Sequence, residues 1–303
     1  MENPKSEVRN PKLLVIVGST ASGKSILAVQ LAKKFEGEVV SADSRQVYKG
    51  LDIGSGKITK KEMMGVPHHC LDVTSPKRKF TVSQYRSRAI AAMAAIAQQG
   101  KLPILVGGSP FYIYSVTDGW TIPEVKPNPL LRRKLERLSV DELFSKLKKL
   151  DPQRAKSIES KNPRRLIRAL EIVLTTKKPI PQLKKQSLPY PVLFLGIKKS
   201  KSKIQKLIVQ RLTKRFKQGM IQEVATLHKQ GLSWKRLEEL GLEYRFIAQY
   251  LQRKLSLAEM KQKLQKASVD FARRQMTWFK KDKRIHWIKN YREAVSIINS
   301  QRP

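Results

Sequence analysis

Short apolar runs and helical stretches alternate over the first third of the chain. Residues 13–17 form an apolar run that ends at a glycine, which is typical of a strand buried in a parallel sheet. Residues 38–42 and 102–106 predict two further strands, and helical spacing predicts helices at 26–35 and 85–99. This alternation predicts an α/β fold in which crossover helices connect the strands of a parallel sheet.

The pattern changes after Trp120. A proline-rich connector leads into helical periodicity without a convincing strand as far as Pro191, and strand character returns at 192–197. Helix-start signals stand at Ser139 with Glu142, at Asp151-Pro152, at Asn162-Pro163 and at Ser256 with Glu259. We predict an inserted, all-helical, basic domain at 118–191 within a core formed by 1–117 and 192–303.

The composition is that of a soluble globular protein. The chain has 303 residues, of which 40% are apolar and 28% are charged. Its one cysteine, Cys70, excludes an internal disulfide framework and a multi-cysteine zinc site. No apolar run approaches the roughly 20 residues of a membrane helix, and the first 12 residues lack the apolar region of a signal peptide. We expect a cytoplasmic protein that does not act at a membrane.

Positive charge is concentrated in the second part of the sequence. The chain carries 62 Lys and Arg against 24 Asp and Glu, a net charge of +38. Residues 1–120 hold 17 basic and 9 acidic side chains, whereas residues 121–303 hold 45 and 15, a net charge of +30. A field of this sign attracts polyanions such as nucleic acid, although general solubility is an alternative explanation.

A phosphate-binding loop follows the first predicted strand. Residues 18–25 match the pattern G-x-x-x-x-G-K-[ST], in which glycines let backbone N–H groups turn toward phosphate oxygens. The lysine adds a positive charge, and the last hydroxyl can ligate Mg²⁺. The predicted diphosphate-binding residues are Gly18, Ser19, Thr20, Ala21, Ser22, Gly23, Lys24 and Ser25.

The loop predicts a phosphorylated ligand without specifying nucleotide hydrolysis. The chain has no long hydrophobic strand ending in Asp-Glu and no Asn-Lys-x-Asp guanine signature. Two interpretations of the loop are open at this point. One is a P-loop kinase for a small molecule or nucleoside, and the other is a non-enzymatic RNA-binding protein with a relic loop.

Seven motifs follow one another along the chain, at residues 18–25, 41–48, 51–54, 66–69, 106–109, 164–171 and 274–279. In these motifs and in their order, the chain resembles the bacterial tRNA dimethylallyltransferases, which form the tRNA isopentenyltransferase family. The resemblance covers most of the chain and implies a P-loop NTPase-like core with a helical insertion. It also implies a reaction: a dimethylallyl group moves from dimethylallyl diphosphate to N6 of adenine 37, beside the tRNA anticodon, and diphosphate leaves with the help of Mg²⁺. The implied partner is the anticodon stem-loop of tRNA, bound by a monomer.

The resemblance also implies roles for individual residues. Asp43 would remove the proton from the poorly nucleophilic amine, Ser25 would contact the metal, and Arg215 would be a second cation on the diphosphate. From the residues alone, Asp43 could instead be a helix cap or a Mg²⁺ ligand. The implied tRNA contacts are Asp43, Ser44, Arg45, Gln46, Ser109, Arg164, Arg165, Leu166, Ile167, Arg168, Tyr244 and Arg245. Helical spacing also places Leu166 on a buried stripe opposite Arg164 and Arg168.

Three further features need an interpretation. Glu243 stands where the family commonly has glycine, and a carboxylate near RNA phosphates would be unfavourable. His68 and His69 are adjacent in a predicted strand and point to opposite faces, which favours a structural role over a metal site. Arg274 and Trp278 lie four residues apart on a predicted helix. They form either an RNA-facing cation–aromatic pair or part of a packed stem.

Overall fold

A computed structural model describes residues 12–120, 125–181 and 188–301. The chain divides into two compact units. The larger unit takes the described residues up to Asp118 and from 188 onward, and the smaller unit takes those from Gly119 to 181. The sequence prediction set these boundaries at 117/118 and 191/192.

A six-stranded parallel sheet forms the centre of the larger unit. Its strands are β1 (Leu13–Val17), β2 (Gly37–Ala42), β3 (His68–His69), β4 (Leu102–Gly107), β5 (Val192–Ile197) and β6 (Ile285–Ile288). They lie in the order β3-β2-β4-β1-β5-β6, and every pairing is parallel. This confirms the predicted α/β class. The short strand β6, which follows the longest helix, was not predicted.

Helices connect these strands and build the smaller unit. In chain order they are α1 (Lys24–Lys34), α2 (Lys60–Met63), α3 (Val82–Gln98), α4 (Pro110–Thr117), α5 (Pro129–Leu135), α6 (Val140–Leu150), α7 (Pro152–Ser157), α8 (Pro163–Thr176), α9 (Lys201–Lys217), α10 (Met220–Lys229), α11 (Trp234–Glu239), α12 (Leu242–Leu251), α13 (Leu257–Phe279) and α14 (Tyr291–Ser300). Among the described residues, no helix is both long enough and apolar enough to span a bilayer.

Two helices begin earlier than the apolar spacing predicts. Helix α3 starts at Val82 instead of residue 85 because Thr81 and Gln84 form a capping box. Helix α1 starts at Lys24 because Gly23 adopts a left-handed conformation, with φ of 93°, and turns the chain into the helix. The first turn of α1 therefore belongs to the phosphate-loop motif.

The core of the larger unit lies against the central strand. All five residues of β1 are buried, because helices cover the parallel sheet on both faces. Leu14 and Ile16 join one buried cluster with Leu27 and Leu31 of α1. This packing holds the strand that carries the phosphate loop.

A buried carboxylate organises the smaller unit. Glu171 of α8 is fully buried and accepts two hydrogen bonds from Arg132, at 2.8 and 2.7 Å, and one from Arg168 at 2.6 Å. It also accepts the Asn128 N–H at 2.8 Å. Burial opposes ionisation, but these hydrogen bonds outweigh it and lower the pKa of Glu171 to about 2. The arginines of this cluster therefore fasten α5 to α8.

The same helix buries two of the predicted tRNA contacts and pairs a third, which is half-buried, with Glu171. Leu166 and Ile167 pack in the hydrophobic core of the smaller unit, so their side chains are not available to RNA. Arg168 is committed to Glu171 and to the carbonyl of Val125. The expectation that Leu166 belongs to a buried stripe is confirmed. Arg164 and Arg165 are exposed and remain predicted contacts.

Candidate functional site

The phosphate loop joins the carboxyl end of β1 to the first turn of α1. Ala21 and Gly23 both have positive φ, 61° and 93°, which curls the loop around its own backbone N–H groups. The first turn of α1 contains no acidic residue, so the partial positive charge of the helix end is not neutralised there. The loop is therefore built to hold an anion.

A pocket opens beside this loop at the carboxyl edge of the sheet, where open α/β folds bind ligands. Lys24 and Ser25 line it from the loop, and Asp43 and Gln46 line it from the turn after β2. Seven of the predicted site residues thus meet in one cavity, because Thr20, Ala21 and Gly23 line it as well. Arg211 of α9 lines the same cavity and was missed by the sequence analysis.

Lys24 lies in a strongly positive environment. Its Nζ donates to the carbonyl of Ser19 at 3.3 Å. Desolvation, together with the positive charges of Arg211 and Arg215, lowers the pKa of Lys24 to about 8, although Asp43 acts in the opposite direction. An anion in the pocket would relieve this repulsion.

The hydrogen-bonding groups of Arg211 are not all paired within the described part of the protein. Its Nε is buried and has no hydrogen-bond partner among the described residues. Desolvation and the charge of Arg215 lower its pKa to about 10, and Glu243 and Asp43 oppose that shift. Arg211 and Arg215 are four residues apart on α9 and share a face. That spacing is the signal by which the sequence could have revealed Arg211.

Arg215, the predicted second cation, supports the wall of the pocket. It is buried, and its Nη1 donates to the carbonyl of Gly54 at 3.1 Å and to Glu243 Oε1 at 3.3 Å. Gly56 lines the pocket, and a Cβ there would overlap the Arg215 guanidinium. Glu243 is thus an internal counter-ion of Arg215. The expected unfavourable approach of its carboxylate to RNA phosphates is offset by this pairing.

Asp43 begins a turn directly after β2. Its Oδ1 accepts the N–H of Arg45 at 2.8 Å, and no helix starts at this point, so the helix-cap alternative is wrong. Ser44 donates its N–H to Ser109 Oγ at 3.3 Å, and Gln46 Nε2 donates to the Gly56 carbonyl at 3.1 Å. These bonds tie the turn to two neighbouring loops and fix the Asp43 carboxylate beside Lys24.

Gln275 of α13 joins two loops of the site and was not assigned a role by the sequence. Its Oε1 accepts the N–H of Thr20 at 2.7 Å, and its Nε2 donates to the Gly108 carbonyl at 2.6 Å. The side chain is buried. The amide of Thr20, a predicted member of the phosphate cradle, is therefore already engaged by Gln275. The partner is 255 residues away in sequence, which is why local pattern could not reveal it.

Tyr244 also corrects a predicted tRNA contact. It is buried, and its hydroxyl donates to Glu223 Oε1 at 2.9 Å while accepting the N–H of Ser55 at 3.1 Å. Glu223 in turn accepts the backbone N–H groups of residues 52–54, at 3.0, 2.6 and 3.0 Å. Tyr244 thus holds the loop that contains Gly54. Arg245 is half-buried and donates to the Glu238 carbonyl at 3.2 Å.

The paired histidines have structural partners. His68 Nδ1 lies 2.8 Å from the Val66 carbonyl, and His69 Nε2 lies 2.7 Å from Glu38 Oε2. Burial raises the pKa of the neighbouring Cys70 to about 11, which keeps its thiol protonated. Each histidine therefore has a partner within the protein, and His68 also lines the pocket beside the phosphate loop; the structural interpretation stays a prediction.

Arg274 and Trp278 each lie against another aromatic ring. The guanidinium of Arg274 lies 6.0 Å from the centre of the Phe271 ring. Trp278 lies against Phe111, with ring centres 5.3 Å apart and planes tilted by 57°. Both side chains are exposed, and the RNA-facing interpretation of this pair stays a prediction.

The parallel sheet and the loop after its central strand define a P-loop α/β protein with a pocket beside that loop. The model of the IPP transferase family matches residues 46–282. The tRNA dimethylallyltransferase 2 of Citrifermentans bemidjiense is 42% identical over 295 residues, which cover 95% of this chain and 94% of that protein. The tRNA dimethylallyltransferase 1 of Geotalea daltonii is 43% identical over 299 residues, 96% of each chain. The chain belongs to the IPP transferase family.

Two solved structures share the fold. The full-length tRNA isopentenylpyrophosphate transferase of Bacillus halodurans superposes with a TM-score of 0.71 at 33% identity, over 95% of this chain and 94% of that one. A eukaryotic dimethylallyltransferase, described as acting on tRNA, gives a TM-score of 0.78 at 25% identity, over 97% of this chain and 80% of that one. The match extends over nearly the whole of the present chain.

Proposed function

We propose that this protein transfers a dimethylallyl group from dimethylallyl diphosphate to N6 of adenine 37 in tRNA and releases diphosphate. The observation that carries the proposal is one pocket that combines the phosphate loop, Lys24 and Arg211 with the carboxylate of Asp43. An anion-binding half and a proton-accepting half thus lie side by side. Membership of the IPP transferase family supports the same reaction.

The positive half of the pocket suits the leaving diphosphate. Loop amides from Ala21 to Ser25, with Lys24 and Arg211, would bind it in the ground state. They would also stabilise the negative charge that grows on it as the carbon–oxygen bond breaks. Arg215 contributes through its charge and by holding the Gly54–Gly56 wall.

The oxygen donors of the pocket fit Mg²⁺. The Ser25 hydroxyl and the Asp43 carboxylate both line it, and Mg²⁺ prefers one or two protein oxygens together with substrate phosphate oxygens. Ser25 would hold the ion. When bound, the ion supplies additional charge stabilisation to the diphosphate.

Asp43 is suited to accept the proton of the acceptor amine. The lone pair of N6 is delocalised into the purine, so the amine becomes an effective nucleophile only as it loses a proton. As the new carbon–nitrogen bond forms, the N6 proton would pass to the Asp43 carboxylate. The adenine must leave its stack to reach such a pocket.

The tRNA itself would bind through the basic surface of the chain. Residues 121–303 have a net charge of +30, and Arg164 and Arg165 are exposed. Ser44, Arg45 and Gln46 lie in the turn that begins with Asp43, and Ser109 accepts a hydrogen bond from that turn, so these residues would contact the target nucleotide. We expect the protein to act as a monomer, and a tRNA substrate supports a cytoplasmic reaction.

Mass spectrometry of tRNA nucleosides after reaction with dimethylallyl diphosphate tests the proposal. We expect one adenosine per tRNA to become heavier by one five-carbon unit. A parallel reaction with labelled ATP tests the kinase alternative. Phosphate transfer without prenylation would overturn the proposal.

Asp43→Asn tests the role of the carboxylate. We expect kcat to fall by about 10²–10⁴-fold because the proton acceptor is lost, while tRNA still binds. The matched control is Asp72→Asn, whose carboxylate pairs with Lys57 outside the pocket. Full prenyl transfer by Asp43→Asn would remove Asp43 from the mechanism.

A further inference from the structure

Glu243 is a carboxylate close to the pocket that takes no part in the proposed reaction. It lies in the first turn of α12, and its side chain is 17% exposed. Its Oε1 accepts a hydrogen bond from Arg215 Nη1 at 3.3 Å, and the Arg215 side chain is 8% exposed. Two charges held this far from bulk water interact more strongly than a pair on the surface, because less water screens them. The charge of Glu243 therefore acts on the surroundings of Arg215.

Arg215 lies directly behind one wall of the pocket. Gly56 lines the pocket, and a Cβ on Gly56 would overlap the guanidinium of Arg215. Desolvation is the main cause of the lowered pKa of Lys24, and the charges of Arg211 and Arg215 add to it. An anion bound beside Lys24 is therefore close enough to interact with Arg215 and with the counter-ion of Arg215.

Glu243 also acts on Arg211, which lines the pocket. Desolvation and the charge of Arg215 lower the pKa of Arg211, and Glu243 opposes that shift. Among the described residues, those that line the pocket do not include Glu243, so its influence on a ligand there passes through the two arginines. One carboxylate behind the pocket thus partly neutralises two of the cations around the diphosphate site.

The charge of the ligand changes during the proposed reaction. When the carbon–oxygen bond breaks, its electron pair stays on the diphosphate, so the product carries one more negative charge than the prenylated donor. Cations that stabilise this growing charge also hold the product more tightly than the donor. A carboxylate behind those cations repels the product more than it repels the donor, because the Coulomb energy grows with the charge of the ligand.

We infer that Glu243 weakens the hold of the pocket on the diphosphate product and thereby promotes its release. Glu243 is a positioning residue, since it acts through Arg215 and Arg211. The inference rests on the proposed function, because it takes diphosphate to be a product of the reaction. It adds a means by which a pocket built to bind an anion gives up its anionic product.

The test is the affinity of Glu243→Gln for magnesium diphosphate, since this variant removes the charge and keeps the size of the side chain. Calorimetric titration should show binding about three- to tenfold tighter than by the wild type. Diphosphate added to the prenyl-transfer reaction should inhibit the variant at a correspondingly lower concentration, and the KM for dimethylallyl diphosphate should fall by less. Glu243→Asp, which restores the charge, should bring the diphosphate affinity back toward the wild-type value.

Glu239→Gln is the matched control, because it removes one negative charge from a carboxylate that pairs with Arg236. We expect it to bind diphosphate like the wild type. Weaker binding by Glu243→Gln would show that Glu243 only holds Arg215 in place, and unchanged binding would show that its charge does not reach the ligand; either result would overturn the inference. If Glu243→Gln does not fold, Glu243→Gly removes the same charge and decides the question in the same way.

Failure of the proposed function gives a different result. If wild-type protein transfers no prenyl group to tRNA, the proposed function fails, and the titration still decides whether Glu243 weakens diphosphate binding. If Glu243→Gln changed the affinity for tRNA and left the affinity for diphosphate unchanged, the carboxylate would act on the RNA, and the inference would be overturned.

Discussion

Cationic side chains form two clusters in this protein, and the two clusters differ in what neutralises them. In the smaller unit, Arg132 and Arg168 surround a fully buried carboxylate, Glu171, and every charge has a partner within hydrogen-bonding distance. In the pocket of the larger unit, Lys24 and Arg211 lie close to Arg215, and the Arg211 Nε has no partner among the described residues.

The ionisation behaviour follows from this difference. In the smaller unit the arginines lower the pKa of Glu171 to about 2, so the cluster is stable as a charged group. In the pocket, desolvation and repulsion lower the pKa of Lys24 to about 8, so the positive form is destabilised until an anion arrives. A neutralised cluster holds a fold together, whereas an excess of cations marks a ligand site. An arginine-rich sequence does not by itself distinguish a structural cluster from a ligand site.

The largest expected effects come from removing one arginine in each cluster. Arg132→Met leaves the buried Glu171 with fewer partners, and we expect it to lower the free energy of unfolding by about 3 kcal/mol. Arg211→Met removes a charged donor from the pocket, and we expect affinity for magnesium diphosphate to fall by about 10- to 100-fold with little change in Tm. Calorimetric titration and thermal melts of both variants give these quantities.

Each of these variants is the control for the other. Arg132→Met should bind diphosphate like the wild type at a temperature at which it is folded. If Arg211→Met bound diphosphate normally and melted at a much lower temperature, Arg211 would be a structural arginine, and the contrast between the clusters would fail.

A smaller effect is expected from the residue that shapes the phosphate loop. Gln275→Met keeps the volume of the side chain but loses both hydrogen bonds to Thr20 and Gly108. We expect the KM for dimethylallyl diphosphate to rise by roughly tenfold, because a misplaced loop binds the diphosphate less well. Steady-state kinetics with each substrate varied in turn provide the measurement.

The control for this variant is Gln265→Met, an exposed position on the same helix. A variant that melts at a lower temperature but keeps both KM values and kcat would show that Gln275 acts only on stability. We expect Gln275→Glu to bind dimethylallyl diphosphate no better than Gln275→Met, because a carboxylate cannot donate a hydrogen bond to the Gly108 carbonyl.

The sequence was sufficient for the features that depend on local pattern. The central strands, the phosphate loop and the capping signals at Ser139 and Ser256 all follow from residues close together in the chain, and the structure confirms them. Asp43 was named through the family resemblance, and its position at the end of a parallel strand places it at the edge of the sheet where the pocket lies.

Long-range packing explains what the sequence missed. Gln275 meets Thr20 across 255 residues, and Glu243 meets Arg215 from a different helix. Motifs also mix residues of different roles: Leu166 and Tyr244 lie within RNA-contacting motifs by resemblance, yet both are buried. A motif records which residues occur together without stating which of them face solvent.

Proton uptake on diphosphate binding tests the central claim most directly, namely that the pocket holds cations in need of an anion. The pKa of Lys24 near 8 in the free protein should rise when the anion binds, so affinity should be full below pH 8 and decline above it. Calorimetry of diphosphate binding at pH 8, in buffers of different ionisation enthalpy, measures this uptake. After subtraction of the same titration on Lys24→Met, we predict a measurable proton uptake at pH 8 and much less at pH 6. If wild type and Lys24→Met took up the same number of protons on binding diphosphate at both pH values, the account would be contradicted.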